Sequence, residues 1–581
     1  MTTDDTTATA SQRLLALMPG VASLRGYQRG WLRGDTLAGI TVAAYLVPQV
    51  MAYAGVAGLP PVAGLWAIMA PLALYAILGS SRQLSVGPES TTALMTAVAI
   101  GPLAAADPSR YAALAAALAI IVGAYCLIGW AARVGFVAEL LSRPVLVGYM
   151  AGVALIMIAG QLGKLTGVPV EGDRFLDQVL SFLRNLQDLN PATTFLGLSV
   201  LVFLFTVGWR YPRAPGPLLA VLLATAATWL LGLEERGVAV VGAIPAGLPS
   251  PQLPDVSLAD LQLLLLPALG VMIVGYTDNV LTARAFASRH HERVDANQEL
   301  LALGSSNIGT GLTQGFPVSS SGSRTAVGDA VGSRTQLYSL VALASVLFVV
   351  LFLAPILAHF PMAALGAIVV YAATRLIEIP EFRRIARFRR TELLLSLAAM
   401  AGVLLFNILY GILLAIGLSV VELLARVARP HDAIQGRVPE LAGMHDVDDY
   451  TMAEQLPGLV VYRYDSPLFF ANAEDFRRRA LDAVDDNDSP EHPVRWLLLN
   501  VEANVEVDIT GLDAVEDLRR ELSGRGITLA MARVKQDLLD DLEAFGLADS
   551  IGRDRLYPTL PTAVEAFEEW SLQHPAPRQP G

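Results

Sequence analysis

The sequence predicts a polytopic α-helical membrane protein that ends in a small soluble α/β domain. Three observations carry this. The 581 residues have a mean hydropathy of +0.50, with 54% hydrophobic and 16% charged residues, whereas a soluble chain carries about 25% charge. Charge is uneven: residues 431–581 hold 30 acids and 14 bases, while residues 1–430 hold 23 and 27. Uncharged runs of about 20 residues, the length that spans a bilayer, recur in the first part. This composition excludes a disordered chain, which needs low hydrophobicity, and a single large water-soluble enzyme.

The runs are 36–81, 90–106, 111–132, 144–163, 191–209, 214–233, 261–277, 300–323, 335–374 and 393–421. Three are long enough for two segments. The first breaks at Gly58-Leu59-Pro60-Pro61, the run 335–374 near His359-Phe360-Pro361, and the last around Asn407 to Gly411. About 13 or 14 segments result, several of them short, and interrupted segments mark the broken helices of transporters.

Orientation follows from the bases in short loops. Clusters stand at 13–33, Arg133 with Arg143, Arg210 with Arg213, Arg284 to Arg293, Arg334 and 383–390. With fourteen segments and the N-terminus inside, all fall on the cytoplasmic side, and so does the acidic tail. The first 36 residues lack a cleavage site after an apolar stretch, so no cleaved signal peptide is expected. Cys126 alone makes no intrachain disulfide. The histidines lack metal-ligand spacing, and His290-His291 is expected in a solvated loop.

Charges at bilayer depth are costly and mark function. Four stand out: Arg82, Glu89, Asp278 and Arg324. Glu89 follows Gly87-Pro88, which reads as a helix start with Pro in the first turn. The second start lies at Ser319-Ser320-Ser321-Gly322-Ser323-Arg324. The two short helices that follow occupy corresponding places in two seven-segment halves, as an inverted repeat requires. Facing helix N-termini make an anion site, with Ser321 and Ser323 adding hydroxyls and Arg324 a full charge. Asp278 and Thr282 are spaced i,i+4 on one helix face, a pair able to carry a proton or hold Na⁺.

At these residues the chain resembles the SulP family of anion transporters, which includes bacterial sulfate permeases and bicarbonate transporters. The stretch Asp35 to Ala54, with Pro48-Gln49 and Tyr53, is similar to the family signature. Gly58-Leu59-Pro60-Pro61, Gly64-Leu65-Trp66, Gly79-Ser80-Ser81-Arg82-Gln83 and Ser323-Arg324 also match. The resemblance covers about 30–570. It implies a 7+7 inverted repeat of 14 segments with two half-helices, core and gate domains, a C-terminal α/β STAS domain and a homodimer. It implies an anion pocket lined by Gln49, Tyr53, Glu89, Ser90, Ser321, Gly322, Ser323 and Arg324. Asp278 stands where many members carry a coupling Glu, and Thr282 stands where a sodium-driven bicarbonate member has a Thr. An anion facing both Glu89 and Asp278 is repelled if both are ionised, so one is expected to be protonated when it binds.

The tail alternates strand-like 459–464, 494–501 and 527–534 with helix-like 474–484, 512–522 and 536–545, the pattern of a small α/β domain. It resembles a STAS domain. Asp508-Ile509-Thr510-Gly511 stands where anti-sigma-factor antagonists carry their phosphorylated serine, which makes Thr510 a regulatory candidate; its other reading is a helix N-cap.

The expected division is a cytoplasmic segment 1–34, a transport domain 35–430, a linker 431–447, a STAS domain 448–571 and a tail 572–581. The expected function is secondary transport of an inorganic anion, sulfate by proton symport, across the plasma membrane by alternating access. Sodium-coupled bicarbonate symport and C4-dicarboxylate transport are the alternatives within that class. A channel-like or sensory protein signalling through the STAS domain is the alternative of another class. No enzyme activity, cofactor or nucleic-acid partner is expected. The coupling ion is expected to be H⁺, with Na⁺ the alternative, and the partners are the anion, the bilayer, a second copy and a cytoplasmic partner of the STAS domain.

Overall fold

The computed structural model describes residues 17–104, 107–135, 142–172, 174–211, 214–243, 247–406 and 408–574. Of the positions discussed above, residues 1–16, Arg213, Asn407 and 575–581 lie outside this set. The chain divides into two compact units, Met1–Ser419 and Val420–Gly581.

Among the described residues, the principal helices of the membrane part, apart from shorter connecting ones, are α1 Leu32–Val56, α2 Pro61–Leu78, α3 Ser90–Ile100, α4 Pro108–Ala131, α5 Arg143–Thr166, α6 Pro191–Arg210, α7 Gly216–Leu230, α8 Leu258–Arg289, α9 Ala296–Leu312, α10 Gly322–Val331, α11 Leu337–Phe352, α12 Met362–Leu376, α13 Arg390–Phe406 and α14 Ile408–Ala428. The breaks follow local chemistry. α1 stops before Gly58, whose φ of 77° needs no Cβ. α2 then opens with Pro61 at its first turn, where a missing N–H is harmless. Pro361 is the N-cap of α12. The run 300–323 is not one span: α9 ends at Leu312 and α10 begins at Gly322.

α3 and α10 are the half-helices, third and tenth in order. At 1.5 Å per residue each is ~15 Å long, half the ~30 Å apolar core of a bilayer. Packing sorts the helices into two groups. α1, α2, α4, α8, α9, α10 and α11 pack on one another and carry α3, while α5, α6, α7, α12 and α13 pack together. α1 is the core helix that meets α7 and α12 of the second group, and most of its residues are buried. Helices approach closely where both lack a side chain. A Cβ on Gly123 of α4 would lie 2.6 Å from the Gly304 carbonyl of α9, and one on Gly304 would lie 3.0 Å from the Gly123 carbonyl, the small-residue packing that membranes favour.

The second unit holds a six-stranded sheet in the order β4-β3-β5-β6-β7-β8. The strands are β3 Asp432–Arg437, β4 Met444–Asp446, β5 Leu459–Tyr464, β6 Trp496–Asn500, β7 Thr528–Ala532 and β8 Leu556–Tyr557. β5 to β8 run parallel, and β3 is antiparallel to both its neighbours. Alternation in β5 and β6 feeds two layers. Val460, Tyr462, Leu497 and Leu499 face α15 (Ala473–Asn487), α16 (Ile509–Gly524) and α17 (Gln536–Phe545), whereas Leu459, Val461, Trp496 and Leu498 face α18 (Leu560–Gln573). The segment expected as a linker, 431–447, instead supplies β3 and β4. Its short polar stretch, with Ile434 and Gln435 among charges, carries little strand signal, although β3 is paired on both sides and only β4 lies at the edge.

Candidate functional site

Two buried chain breaks lead into the half-helices, and backbone groups at bilayer depth must find partners within the protein. Here they find each other. β1 (Val86–Gly87) pairs antiparallel with β2 (Ser319–Ser320), Val86 opposite Ser320 and Gly87 opposite Ser319. Asn307 of α9 extends the ladder, accepting from the Val318 N–H at 2.9 Å and donating to its carbonyl at 3.0 Å. The Ser321 N–H donates to the Ser85 carbonyl at 2.9 Å, and the Ser85 N–H to Thr325 Oγ1 at 3.0 Å. The starts of α3 and α10 are thereby fixed side by side, with their positive ends converging.

Arg324 lies behind this junction. It is wholly buried and donates from Nη1 to the Pro88 carbonyl at 2.7 Å and to Gln49 Oε1 at 3.4 Å, and from Nε to Ser85 Oγ at 3.3 Å. Gln49 Nε2 donates in turn to Tyr53 Oη at 3.0 Å. The three residues expected to line the pocket thus form one buried relay from α1 to α10. Arg324 acts first as a clamp on the loop before α3, since a guanidinium fork fits several fixed acceptors.

Glu89 is the N-cap of α3: its Oε2 accepts from the Thr91 N–H at 2.7 Å and its Oε1 from the Ser90 hydroxyl. Pro88 therefore precedes the helix instead of opening it. Ser321 caps α10, its hydroxyl 3.5 Å from the Arg324 N–H and 3.2 Å from Ser323 Oγ. Gly322 is exposed and Ser323 half-buried, so the α10 start opens outward. Asp278 accepts from Ser320 Oγ at 2.8 Å and is within Coulombic reach of Glu89. Thr282 turns its methyl toward Gly322, 4.0 Å from where a Cβ there would lie. The half-helix starts, Glu89 and Asp278 thus share one junction, and Asp278 bonds Ser320 instead of Thr282.

Arg82 falls elsewhere. It is half-exposed and pairs with Glu292 at 3.5 Å, beside a cavity of about 480 Å³ that Ser80, Ser81 and Arg293 also line. It is a surface ion pair, since the Gly79–Arg82 turn lies beyond the end of α2. His290 is not simply solvated: its Nε2 lies 2.6 Å from Asp329 Oδ1, joining the end of α8 to α10.

The sequence reading passed over Glu299, which stands one residue before an apolar run and resembles an interfacial acid. It is wholly buried and accepts from the Tyr75 hydroxyl at 2.9 Å, the Ser80 hydroxyl at 2.7 Å and N–H at 3.0 Å, and the Asn279 amide at 2.6 Å. Asp35, also buried, accepts from the Arg334 N–H at 2.6 Å and the Thr335 hydroxyl at 2.8 Å, so it closes the loop after α10. Neither has a sequence signal apart from a carboxylate flanking a span.

In the second unit Thr510 is exposed, and the N-cap of α16 is Asp508, which accepts from Gly511 N–H at 2.8 Å and Phe470 N–H at 2.9 Å. The N-cap reading of Thr510 is therefore corrected: the shorter acid two residues earlier takes the role. Phe470 and Ile509 beside it are 74% and 70% exposed, leaving an apolar rim around the hydroxyl.

Comparison with known proteins matches residues 32–399 to the sulfate permease family and residues 450–563 to the STAS domain. A protein described as a probable sulfate transporter of Mycobacterium tuberculosis (strain ATCC 25618 / H37Rv) is 60% identical over 549 residues, 94% of this chain and 98% of that one. Low affinity sulfate transporter 3 of Stylosanthes hamata is 29% identical over 581 residues, 95% of this chain and 90% of that one. Among solved structures, the murine Solute Carrier 26 family member A9 anion transporter in the inward-facing state matches with a TM-score of 0.89 at 23% identity, over 98% of this chain and 97% of that one. The transmembrane domain of the cyanobacterium bicarbonate transporter BicA matches with a TM-score of 0.59 at 23% identity, over 68% of this chain and 98% of that one. At these identities the structural likeness speaks for the fold.

Proposed function

Because the chain belongs to the sulfate permease family, we propose that it imports sulfate by proton symport through alternating access of its two helix groups. The protein is a multi-pass membrane anion transporter, and its family and relatives are transporters, not enzymes. Sulfate is favoured by the relatives that bear that name, the Mycobacterium tuberculosis protein above all.

The observation that carries proton coupling is the charge count at the junction. Two half-helix starts, each with a partial positive charge, are joined by Glu89, Asp278 and Arg324, so two carboxylates face a single guanidinium, whose Nη1 and Nε donate to Pro88, Gln49 and Ser85. A divalent oxyanion entering beside two carboxylates is opposed by several kcal/mol at the low effective dielectric of such a site. Protonating one carboxylate removes most of that opposition. Asp278 is taken as the carrier, because Glu89 is engaged as the N-cap of α3 whereas Asp278 accepts, among the described residues, only from the Ser320 hydroxyl. The Asp278–Thr282 face supports sodium less well, since Thr282 offers its methyl toward the α10 start.

The reading places the protein in the plasma membrane with both termini cytoplasmic, on the strength of the basic loops, and as a homodimer whose STAS domain meets a cytoplasmic partner, with Thr510 as the regulated position. Its test is Asp278→Asn in proteoliposomes. The variant is expected to lose stimulation of uptake by an inward proton gradient while keeping sulfate–sulfate exchange. Undiminished stimulation contradicts the assignment.

A further inference from the structure

The two half-helices are capped by different chemistry. α10 starts under a neutral hydroxyl, Ser321, only 3.5 Å from the N–H it caps. α3 starts under a carboxylate, Glu89, which takes the Thr91 N–H at 2.7 Å and the Ser90 hydroxyl. Glutamate is not a favoured N-cap; serine, threonine, asparagine and aspartate are. A hydroxyl would close this turn without placing a negative charge near Asp278 of α8, so capping alone does not account for Glu89. The charged and titratable groups that interact electrostatically with it are Asp278, Arg324 of α10 and Tyr53 of α1.

Two further groups at the same place lack partners among the described residues. Thr91 Oγ1, in the first turn of α3, is buried without a hydrogen bond, and so is Arg324 Nη2. Thr91 is 3% exposed and Arg324 0%. Arg324 Nη2 lies 3.3 Å from where a Cβ on Gly87 would sit, two residues before Glu89. Helix N–H groups, a hydroxyl and a guanidinium N–H are the donors an oxyanion takes. The Glu89 carboxylate already occupies part of that set.

We propose that the Glu89 carboxylate is an internal stand-in for the transported oxyanion: it fills the α3 start in the empty carrier and must leave it when substrate enters. This rests on the reading of the α3–α10 junction as the anion site. The stand-in sets specificity, because only an anion with several oxygens can take the α3 N–H, the Thr91 hydroxyl and the Arg324 guanidinium together in its place. Sulfate, with four oxygens, competes; chloride does not.

The test is equilibrium binding of sulfate and of chloride to the purified full-length protein, followed as anion-dependent heat and thermal stabilisation. Glu89→Ser keeps a hydroxyl cap without the charge, Glu89→Gln keeps the shape, and Asp278→Asn removes an equal charge nearby. Both Glu89 variants are expected to bind sulfate about tenfold tighter or more, a gain of ~1.4 kcal/mol, and to gain chloride binding; Asp278→Asn, which relieves repulsion but leaves the stand-in in place, is expected to tighten sulfate without gaining chloride binding. Weaker or unchanged sulfate binding in the Glu89 variants overturns the proposal, because a substrate ligand or a simple cap behaves that way. An equal gain of chloride binding in Asp278→Asn overturns it too, as plain repulsion explains it. Gains at Glu89 without any sulfate uptake by the wild type would sustain the stand-in and refute the sulfate transport reading; proton-driven uptake without those gains would do the reverse.

Discussion

Arg324 Nη1 donates to the carbonyl of Pro88 at 2.7 Å, across 236 residues of sequence. This one bond ties the start of the second half-helix to the loop that starts the first. The two half-helix starts are thereby tied together, and the buried guanidinium is held by carbonyl, amide and hydroxyl oxygens.

Arg324→Met is expected to abolish uptake, because the Pro88 carbonyl and Ser85 lose their donor and the loop before α3 is released. Arg324→Lys is expected to keep little activity, since one ammonium cannot reach acceptors on three sides. Sulfate uptake into proteoliposomes, with the melting temperature of the purified protein, checks this. Wild-type uptake in Arg324→Lys would contradict the clamp.

Glu299→Gln is expected to destabilise the protein by about 2–3 kcal/mol, the cost of leaving buried donors without a charged acceptor. Tyr75, Ser80 and Asn279 all point hydrogens at this carboxylate, and the glutamine amide returns a hydrogen to one of them. A lowered melting temperature is the readout. Because Asn279 adjoins Asp278, sulfate affinity is expected to fall as well.

Gly123→Val is expected to separate α4 from α9, because its side chain would begin 2.6 Å from the Gly304 carbonyl. The expected loss is larger than the ~1–3 kcal/mol typical of overpacking, since backbone has to move. Low yield of folded protein in detergent, compared with Gly129→Ala on the same helix, checks it.

In the tail, Asp508→Ala is expected to cost about 1–2 kcal/mol, the loss of a cap that serves two N–H groups. Thr510→Ala is expected to be neutral to folding, because the side chain is exposed. Limited proteolysis of the full chain separates the two. If Thr510→Ala loosens the tail as much as Asp508→Ala, Thr510 has a structural role instead.

Much of the architecture was legible because breakers act locally. Gly87-Pro88 and Ser319-Ser320-Ser321-Gly322 mark helix starts without any knowledge of partners, so the half-helix starts fall within one or two residues of expectation. The strands 459–464 and 494–501 showed themselves as short runs rich in Val, Leu and aromatic residues, and β5 and β6 are buried on both faces. What stayed hidden depends on distant contacts. Arg324 reads as a ligand until Pro88, Gln49 and Ser85 surround it, and Arg82 reads as an intramembrane charge until Glu292 meets it at the surface. Glu299 is unremarkable in sequence, since nothing local reveals that Tyr75 and Ser80 converge on it. β3 and β4 were missed because β4 is a three-residue edge strand and β3, though paired on both sides, is polar and carries one large apolar side chain, Ile434.

The most direct test of the central claim is radiolabelled sulfate uptake into proteoliposomes holding the full-length wild-type protein. It is run with an inward proton gradient, an inward sodium gradient, or neither. Saturable uptake driven by the proton gradient and competed by unlabelled sulfate is the predicted result. Sodium-driven hydrogen-carbonate flux without sulfate uptake would contradict both the substrate and the coupling ion.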